Sequence, residues 1–100
     1  MWLFVFFDLP VTTKKDRKMA AKFRKDIMKS GFTMMQFSVY ARHCPSYEAM
    51  EVNKKRVRMV VPDKGDVSML AVTDKQFGDI EHFCSAQRKQ MHIPTQLEMF

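Results

Sequence analysis

The opening run, Met1-Trp2-Leu3-Phe4-Val5-Phe6-Phe7-Asp8-Leu9-Pro10, is apolar without a break until it meets a carboxylate, and a proline closes it. A short run so rich in aromatic and β-branched residues reads as a strand. Successive side chains of a strand point to opposite faces. Leu3, Val5 and Phe7 therefore share one face, and Trp2, Phe4, Phe6 and Asp8 share the other. Both faces are apolar, so both want cover. Pro10 lacks an N–H and stiffens the exit, which ends the strand near Asp8 or Leu9. An acid at the end of a buried strand is presented where the chain turns outward, and Asp8 is the candidate site residue.

Thr13-x-x-Asp16 next gives a helix start, with an acid near the positive end of the helix dipole. The helix is expected from Lys14 to Ser30, with Gly31 as its left-handed stop. Met19, Ala20, Phe23 and Ile27 recur at helical spacing and form its buried stripe. On another side Lys14, Lys18, Lys22, Lys25 and Lys29 recur every three or four residues, flanked by Arg17 and Arg24, with Lys15 nearby. Eight basic and two acidic side chains between residues 13 and 30 give +6, which equals the net charge of the whole chain. The remainder sums to zero, so the excess charge sits in one element. Like charges at i, i+4 repel and weaken a helix slightly. A solvated face has no reason to accept that, whereas a phosphate-tracking face does.

Phe32 to Arg42 alternates, placing Met35, Phe37, Val39 and Ala41 on one face and Gln36, Ser38, Tyr40 and Arg42 on the other. It reads as one half-buried strand with a polar second face. His43-Cys44-Pro45-Ser46 breaks it, and Ser46 can cap a second helix from Tyr47 to Val61 with Ala49, Val52, Val57 and Val60 inward. Pro62-Asp63-Lys64-Gly65 is a turn. A strand over Asp66–Thr73, a helical turn over Asp74–Gly78, a strand over Ile80–Cys84, a loop over Ser85–Thr95 and a last strand over Gln96–Phe100 complete the chain. Taken literally the order is β-α-β-α-β-β. The layer solution is a compact sheet with both helices on one face.

One hundred residues make a single domain, 1–100, with room for a modest core. Two cysteines are no disulfide framework and suit a reducing cytoplasm. The opening run is shorter than the ~20 apolar residues of a membrane span, and it lacks the basic leader of a signal peptide. The expectation is a cytoplasmic chain without a membrane partner. Two-sided apolarity in the first strand and the closing Leu97-Glu98-Met99-Phe100 point to a second subunit over the uncovered face, with a two-fold dimer as the default. A two-fold axis near Asp8 would bring two copies of that acid together.

Taken together, Phe7-Asp8-Leu9-Pro10 after an apolar strand, a basic helix holding Arg17, Phe23 and Arg24, and Gly31-Phe32-x-x-x-Gln36-x-Ser38-Val39-Tyr40 resemble the small CRISPR-associated adaptation proteins of the Cas-two family. Tyr47 opening a helix, Arg56-Val57, Pro62-x-x-Gly65 and Leu70-x-Val72-Thr73-Asp74-Lys75-Gln76-Phe77 continue the match over nearly the whole chain. The resemblance implies an α+β, ferredoxin-like αβ sandwich, with an antiparallel sheet, two helices on one face, and a symmetric homodimer. It overrides the literal element order. It also implies work beside the CRISPR integrase (the Cas-one protein) during capture of spacer-precursor double-stranded DNA, and a Mg²⁺-dependent endonuclease activity on RNA or double-stranded DNA. The family's Mg²⁺-binding acid falls on Asp8.

Mg²⁺ wants oxygen ligands and keeps several waters, using one or two carboxylates plus phosphate oxygens. Spacing alone also fits Asp8 as a turn acid bonding its own backbone before Leu9-Pro10. The nucleic-acid-binding candidates are Lys14, Arg17, Lys18, Lys22, Arg24 and Lys25, with Arg42 and Arg56 as outliers. Gln36, Ser38, Tyr40 and Arg42 line the face near Asp8 or form only the wet side of a strand. Ser38 has no adjacent base and is no nucleophile. His43-Cys44 and His82-x-Cys84 match no structural zinc spacing, and the ten methionines suit adaptable packing. Two other functions compete. One is an RNA-binding module of the RRM type, which needs stacking aromatics on the third strand. Gly65 to Leu70 supply none. The other is a toxin-like ribonuclease of related fold, which the sequence does not separate from the adaptation protein.

Overall fold

The computed structural model describes residues 1–84 and 89–91. The elements run β1 (Trp2–Asp8), α1 (Lys14–Lys29), β2 (Thr33–Gln36), β3 (Val39–His43), α2 (Tyr47–Val60), β4 (Asp66–Val72), α3 (Asp74–Gly78), β5 (His82–Cys84) and β6 (Lys89–Met91). Four strands form one sheet of order β2-β3-β1-β4, and β5 and β6 form a separate pair. All pairings are antiparallel. The first six elements are therefore β-α-β-β-α-β, the ferredoxin-like order. The Gln96–Phe100 strand expected from the sequence lies outside the described residues, and β6 falls within the stretch expected to be a loop.

The literal element order fails at one place. Phe32–Arg42 is a hairpin and not a single strand. Two irregularities hide inside its alternation. The pairing register shifts between Met34 and Gln36, so Met35 is an extra residue in β2. The chain then reverses over Phe37 and Ser38, with Ser38 at φ 65° and Phe37 outside the positive-φ region. Positive φ at the second central residue alone is the mark of a type II turn, which ordinarily takes glycine or asparagine there. The Ser38 carbonyl accepts a 3.1 Å hydrogen bond from the Phe7 N–H, which fastens the turn to β1.

The faces follow from the pairing. On the helix side, Leu3, Val5 and Phe7 of β1 pack with Phe23 and Ile27 of α1, Tyr40 of β3, and Met50 and Val57 of α2. Phe7 meets Phe23 edge-on at 5.1 Å and lies over Tyr40 at 5.6 Å. Tyr40 is thus core rather than wet face, while Ala41 is buried and Met35 and Val39 pack on the opposite side as expected. In α2 the buried positions are Met50, Asn53 and Val57; of the expected inward residues Val57 is core and Ala49 and Val60 pack against it, whereas Val52 is 48% exposed. Asn53 is buried and donates from Nδ2 to the Cys44 Sγ at 3.4 Å, while its Oδ1 has no partner among the described residues. On the opposite side, Phe77 of α3 joins Phe4 and Ala41 in a second cluster, and Trp2 stacks on Phe77 at 3.8 Å. That helix covers the Trp2 end of the second face. Phe6 and Leu70, nearer the Asp8 end, stay exposed.

α1 starts with a capping box. Thr13 Oγ1 accepts from the Asp16 N–H at 3.0 Å, and the Asp16 carboxylate accepts from the Thr13 N–H at 3.3 Å. Asp16 is buried, and Lys64 Nζ stands 3.7 Å from it, which ties the helix start to the α2–β4 turn. Burial opposes ionisation of this acid, but the Thr13 hydrogen bonds and the Lys64 charge outweigh it and hold its pKa below the usual 3.8. The folded chain therefore prefers the ionised form more than the unfolded chain does. Its contribution to stability is complete above pH ~4 and is lost as pH falls through the lowered folded value. Thermal unfolding of the wild type and Asp16→Asn, followed from pH 6 to pH 2, should show the gap between them narrowing below the ordinary carboxylate range. A gap independent of pH would remove the charged capping box from the account.

Candidate functional site

β1 delivers Asp8 to the end of the central strand, directly across from Asp66, the first residue of β4. Both side chains are exposed. Partners in this ladder share a face, so Asp8 and Asp66, Phe6 and Ser68, and Phe4 and Leu70 all lie on the side away from α1 and α2. At the Asp8 end they frame an open depression of about 350 Å³, lined by Phe6, Phe7, Asp8, Phe37, Ser38, Val39, Asp66 and Ser68. Its polar lining is oxygen throughout: two carboxylates and two hydroxyls, with no lysine or arginine. An oxygen donor set without sulfur or imidazole suits a hard divalent cation such as Mg²⁺. Among the described residues no group of three or more His, Cys, Asp or Glu side chains could hold a metal by itself. An ion held here would complete its shell from water, substrate phosphate or a second copy of the acid.

Local sequence explains the placement of Asp8. Gly65 sits at φ +88°, and a Cβ there would lie 2.7 Å from the Asp8 carbonyl oxygen and 2.9 Å from the Leu9 side chain. Only glycine lets the Pro62–Gly65 turn close against the strand end. Ser38 is held on the other side by its bond to Phe7.

The basic candidates divide. Lys14, Arg17, Lys18, Lys22 and Lys25 are exposed along α1, and Arg24 is half-buried. Lys15, Lys18, Met19, Ala21, Lys22 and Lys25 border an open groove of about 520 Å³ along the helix, so Lys15 belongs to the row. Lys22 is partly neutralised by Asp26 at 2.9 Å. Arg17 donates to the Val11 and Thr12 carbonyls at 3.2 and 3.4 Å and also fastens the entry to α1. Arg42 lies on the helix side of β3 and donates to the Ser30 carbonyl beneath Gly31, while Arg56 is exposed on α2. Of Gln36, Ser38, Tyr40 and Arg42, only Ser38 lines the depression. The lysine helix and the acid therefore occupy opposite sides of the sheet. Sequence reasoning missed Asp66, Ser68 and Phe37. The β1–β4 register would have found the first two, since Asp66 and Ser68 match Asp8 and Phe6 in parity.

The order β2-β3-β1-β4, two helices on one face and an acid closing the central strand define a ferredoxin-like α+β domain. Residues 1–80 match the model of the family described as CRISPR associated protein Cas2. A protein of Parvibaculum lavamentivorans named CRISPR-associated endoribonuclease Cas2 is 50% identical over the full length of both chains. Its namesake in Flavobacterium psychrophilum is 46% identical over all of this chain and 88% of its own. The crystal structure of Streptococcus pyogenes Cas2 at pH 6.5 shares the fold with a TM-score of 0.63 at 15% identity, covering 84% of this chain and 100% of that one. The chain belongs to the CRISPR-associated protein Cas2 family. Among the described residues no helix is long and apolar enough to cross a membrane.

Replacing Gly65 by alanine should destabilise the fold by ~1–3 kcal/mol through the disfavoured φ and the contact with Asp8. Urea unfolding measures this, and an unchanged midpoint would mean that the turn does not press on the strand end.

Proposed function

We propose that this chain is a CRISPR adaptation protein, a homodimeric DNA-binding scaffold that acts with the CRISPR integrase in spacer acquisition and carries a Mg²⁺-dependent phosphodiesterase activity. The observation that carries the reading is the separation of functions across the sheet. The acidic depression opens on the face that the two long helices leave uncovered, and the cationic row faces outward from α1 on the other side. A second copy laid over Phe6 and Leu70 would cover exposed apolar surface and bring two Asp8 residues to one seam. Both cationic helices would then stand on the outer flanks, where a duplex can be held by its phosphates. The names of the relatives, which call them endoribonucleases, support RNA as a strand that can be cut.

Asp8 is the ligand that would hold Mg²⁺, with Asp66 the nearest other carboxylate across the ladder. A bound Mg²⁺ supplies an acidified water and neutralises charge on the phosphoryl oxygens. The chain's own residues do the rest. Lys14, Lys18, Lys22, Lys25 and Arg17 hold phosphates without regard to sequence. Ser38 and Ser68 offer hydroxyls that can orient a water within the depression. Phe6 and Val39 make its apolar wall.

Asp8→Ala should abolish Mg²⁺-dependent cleavage of RNA and of duplex DNA, a loss of at least ~10²-fold if the residue holds the ion, while duplex affinity stays within about twofold. Cleavage at the wild-type rate would take Asp8 out of the chemistry. Changing Lys18, Lys22 and Lys25 together to Glu should weaken duplex binding and lower the slope of log K against log salt by roughly one for each phosphate no longer neutralised. Titrations at several salt concentrations that superpose on the wild type would leave the row a solvated face.

A further inference from the structure

The lysine row leaves part of its own helix unexplained. Along the outer side of α1, Lys14, Lys18, Ala21, Lys25 and Met28 follow one another at alternating steps of four and three. That is a 3.5-residue repeat, the spacing by which one helix presents a continuous seam to another. The opposite stripe, Ala20, Phe23 and Ile27, is buried, so the seam points away from the sheet. Lys14, Lys18, Lys25 and Met28 are exposed, and Ala21 is half-buried. The positions beside the seam carry one sign throughout: Lys15, Lys22 and Lys29 along one flank, Arg17 and Arg24 along the other. Of these ten positions eight are cationic, and the two exceptions, Ala21 and Met28, both lie on the seam.

Phosphate binding accounts for the eight and not for the two. A duplex meets ammonium and guanidinium groups with its phosphate oxygens and gains nothing from carbon there. Yet the groove of about 520 Å³ along this helix has a carbon floor, made by Met19, Ala21 and the aliphatic stems of Lys15, Lys18, Lys22 and Lys25. Met28 continues the apolar line and is 46% exposed. Ala21, at the middle of the seam, is too short to hold a neighbouring backbone off. A second copy of the same helix is excluded, because flanks of one sign repel their own kind. Flank charges choose the partner of a paired helix, and these select Asp and Glu. We propose that the outer side of α1 is a docking surface for an acidic amphipathic helix of a partner protein, with small and apolar side chains along its seam and carboxylates on both flanks. The 16 residues of α1 span about 24 Å, little more than two heptads, which makes the contact weak and exchangeable. The same lysines cannot hold that helix and a duplex together, so docking and duplex binding exclude each other. Docking goes beyond the duplex reading of the row and stands without it.

The probe is a synthetic helix of ~21 residues, with Glu at the flanking positions and Ala and Leu along the seam, and its control has the same composition in scrambled order. Both are titrated against the full chain by fluorescence anisotropy. The patterned peptide should bind at least about tenfold more tightly than the scrambled one, since flank charges and seam contacts then act together. It should also displace a labelled blunt duplex DNA. In Ala21→Trp the larger side chain fills the seam, and affinity for the patterned peptide should fall by roughly five- to a hundredfold, the range for an overpacked contact. Met28→Lys adds a charge and removes the apolar end of the seam. Duplex binding should tighten in that variant while the preference for the patterned peptide shrinks, a split that loss of folding does not produce. Equal affinity of the wild type for the two peptides would overturn the proposal and leave α1 a general polyanion surface. So would a duplex that stays bound at saturating peptide. Binding to phosphatidylglycerol vesicles that Ala21→Trp strengthens would assign the seam to a membrane surface and end the docking role. The two readings of α1 fail separately. Peptide preference intact without duplex binding defeats the duplex reading alone. Duplex binding intact without peptide preference defeats the docking alone.

Discussion

One strand sets the terms for the rest of the chain. β1 is apolar on both faces and hydrogen-bonded along both edges, to β3 and β4. A strand so paired leaves no backbone edge open, and its apolar side chains want cover on both faces. α1 and α2 must therefore cover Leu3, Val5 and Phe7, and other surface must cover Trp2, Phe4 and Phe6. α3 meets part of that second need by placing Phe77 over Trp2 and Phe4. The end of the strand is its one polar outlet, and it carries Asp8. The acid is exposed on the face that stays uncovered from Phe6 onward.

That arrangement also separates the charges. Had the lysines stood on the same face as Asp8, they would have neutralised it and lowered its affinity for a cation. Instead α1 turns its apolar stripe to the sheet and its basic side to solvent, while Asp8 and Asp66 share the opposite face. Phosphates far from the acid are attracted by α1, and those near it are repelled unless a cation intervenes. The cationic surface and the acidic depression are thus separate surfaces of one small sheet.

Much of this was legible in the sequence, and the reasons differ by element. β1 and α1 were readable because their signals are local: an apolar run closed by Pro10, and a Thr13-x-x-Asp16 cap before a periodic stripe. The hairpin was not. Its turn uses Phe37-Ser38, with none of the glycine, asparagine or proline that marks turns, and the extra residue at Met35 preserves an apparent alternation through the reversal. Tyr40, placed on the wet face by that alternation, proved to be core. In α2, Val52 was assigned inward on hydrophobicity alone. The helix instead buries Asn53, whose hydrogen bond to Cys44 no periodicity could announce. Asp8 was found because strand chemistry marks it. Asp66 was not, because its relation to Asp8 exists only in the register between strands far apart in sequence.

Two of the local rules this fold breaks are broken in one place. Like charges directly opposite on neighbouring strands weaken a sheet, yet Asp8 faces Asp66. A serine in the left-handed region is strained relative to glycine, yet Ser38 holds that conformation at the turn. Each feature alone would pass as incidental. Both line the same depression, beside an exposed phenylalanine that the core does not use. The helix starts and the other turns follow local rules, with capping boxes at α1 and α3, a serine cap at α2, and left-handed glycines at the turns. Stability selected on its own would relieve the Asp8–Asp66 repulsion with one neutral residue and the Ser38 strain with one glycine. Departures from local consistency gather where function competes with stability, and by that argument the depression at the end of β1 is the part of the sheet shaped for something other than folding.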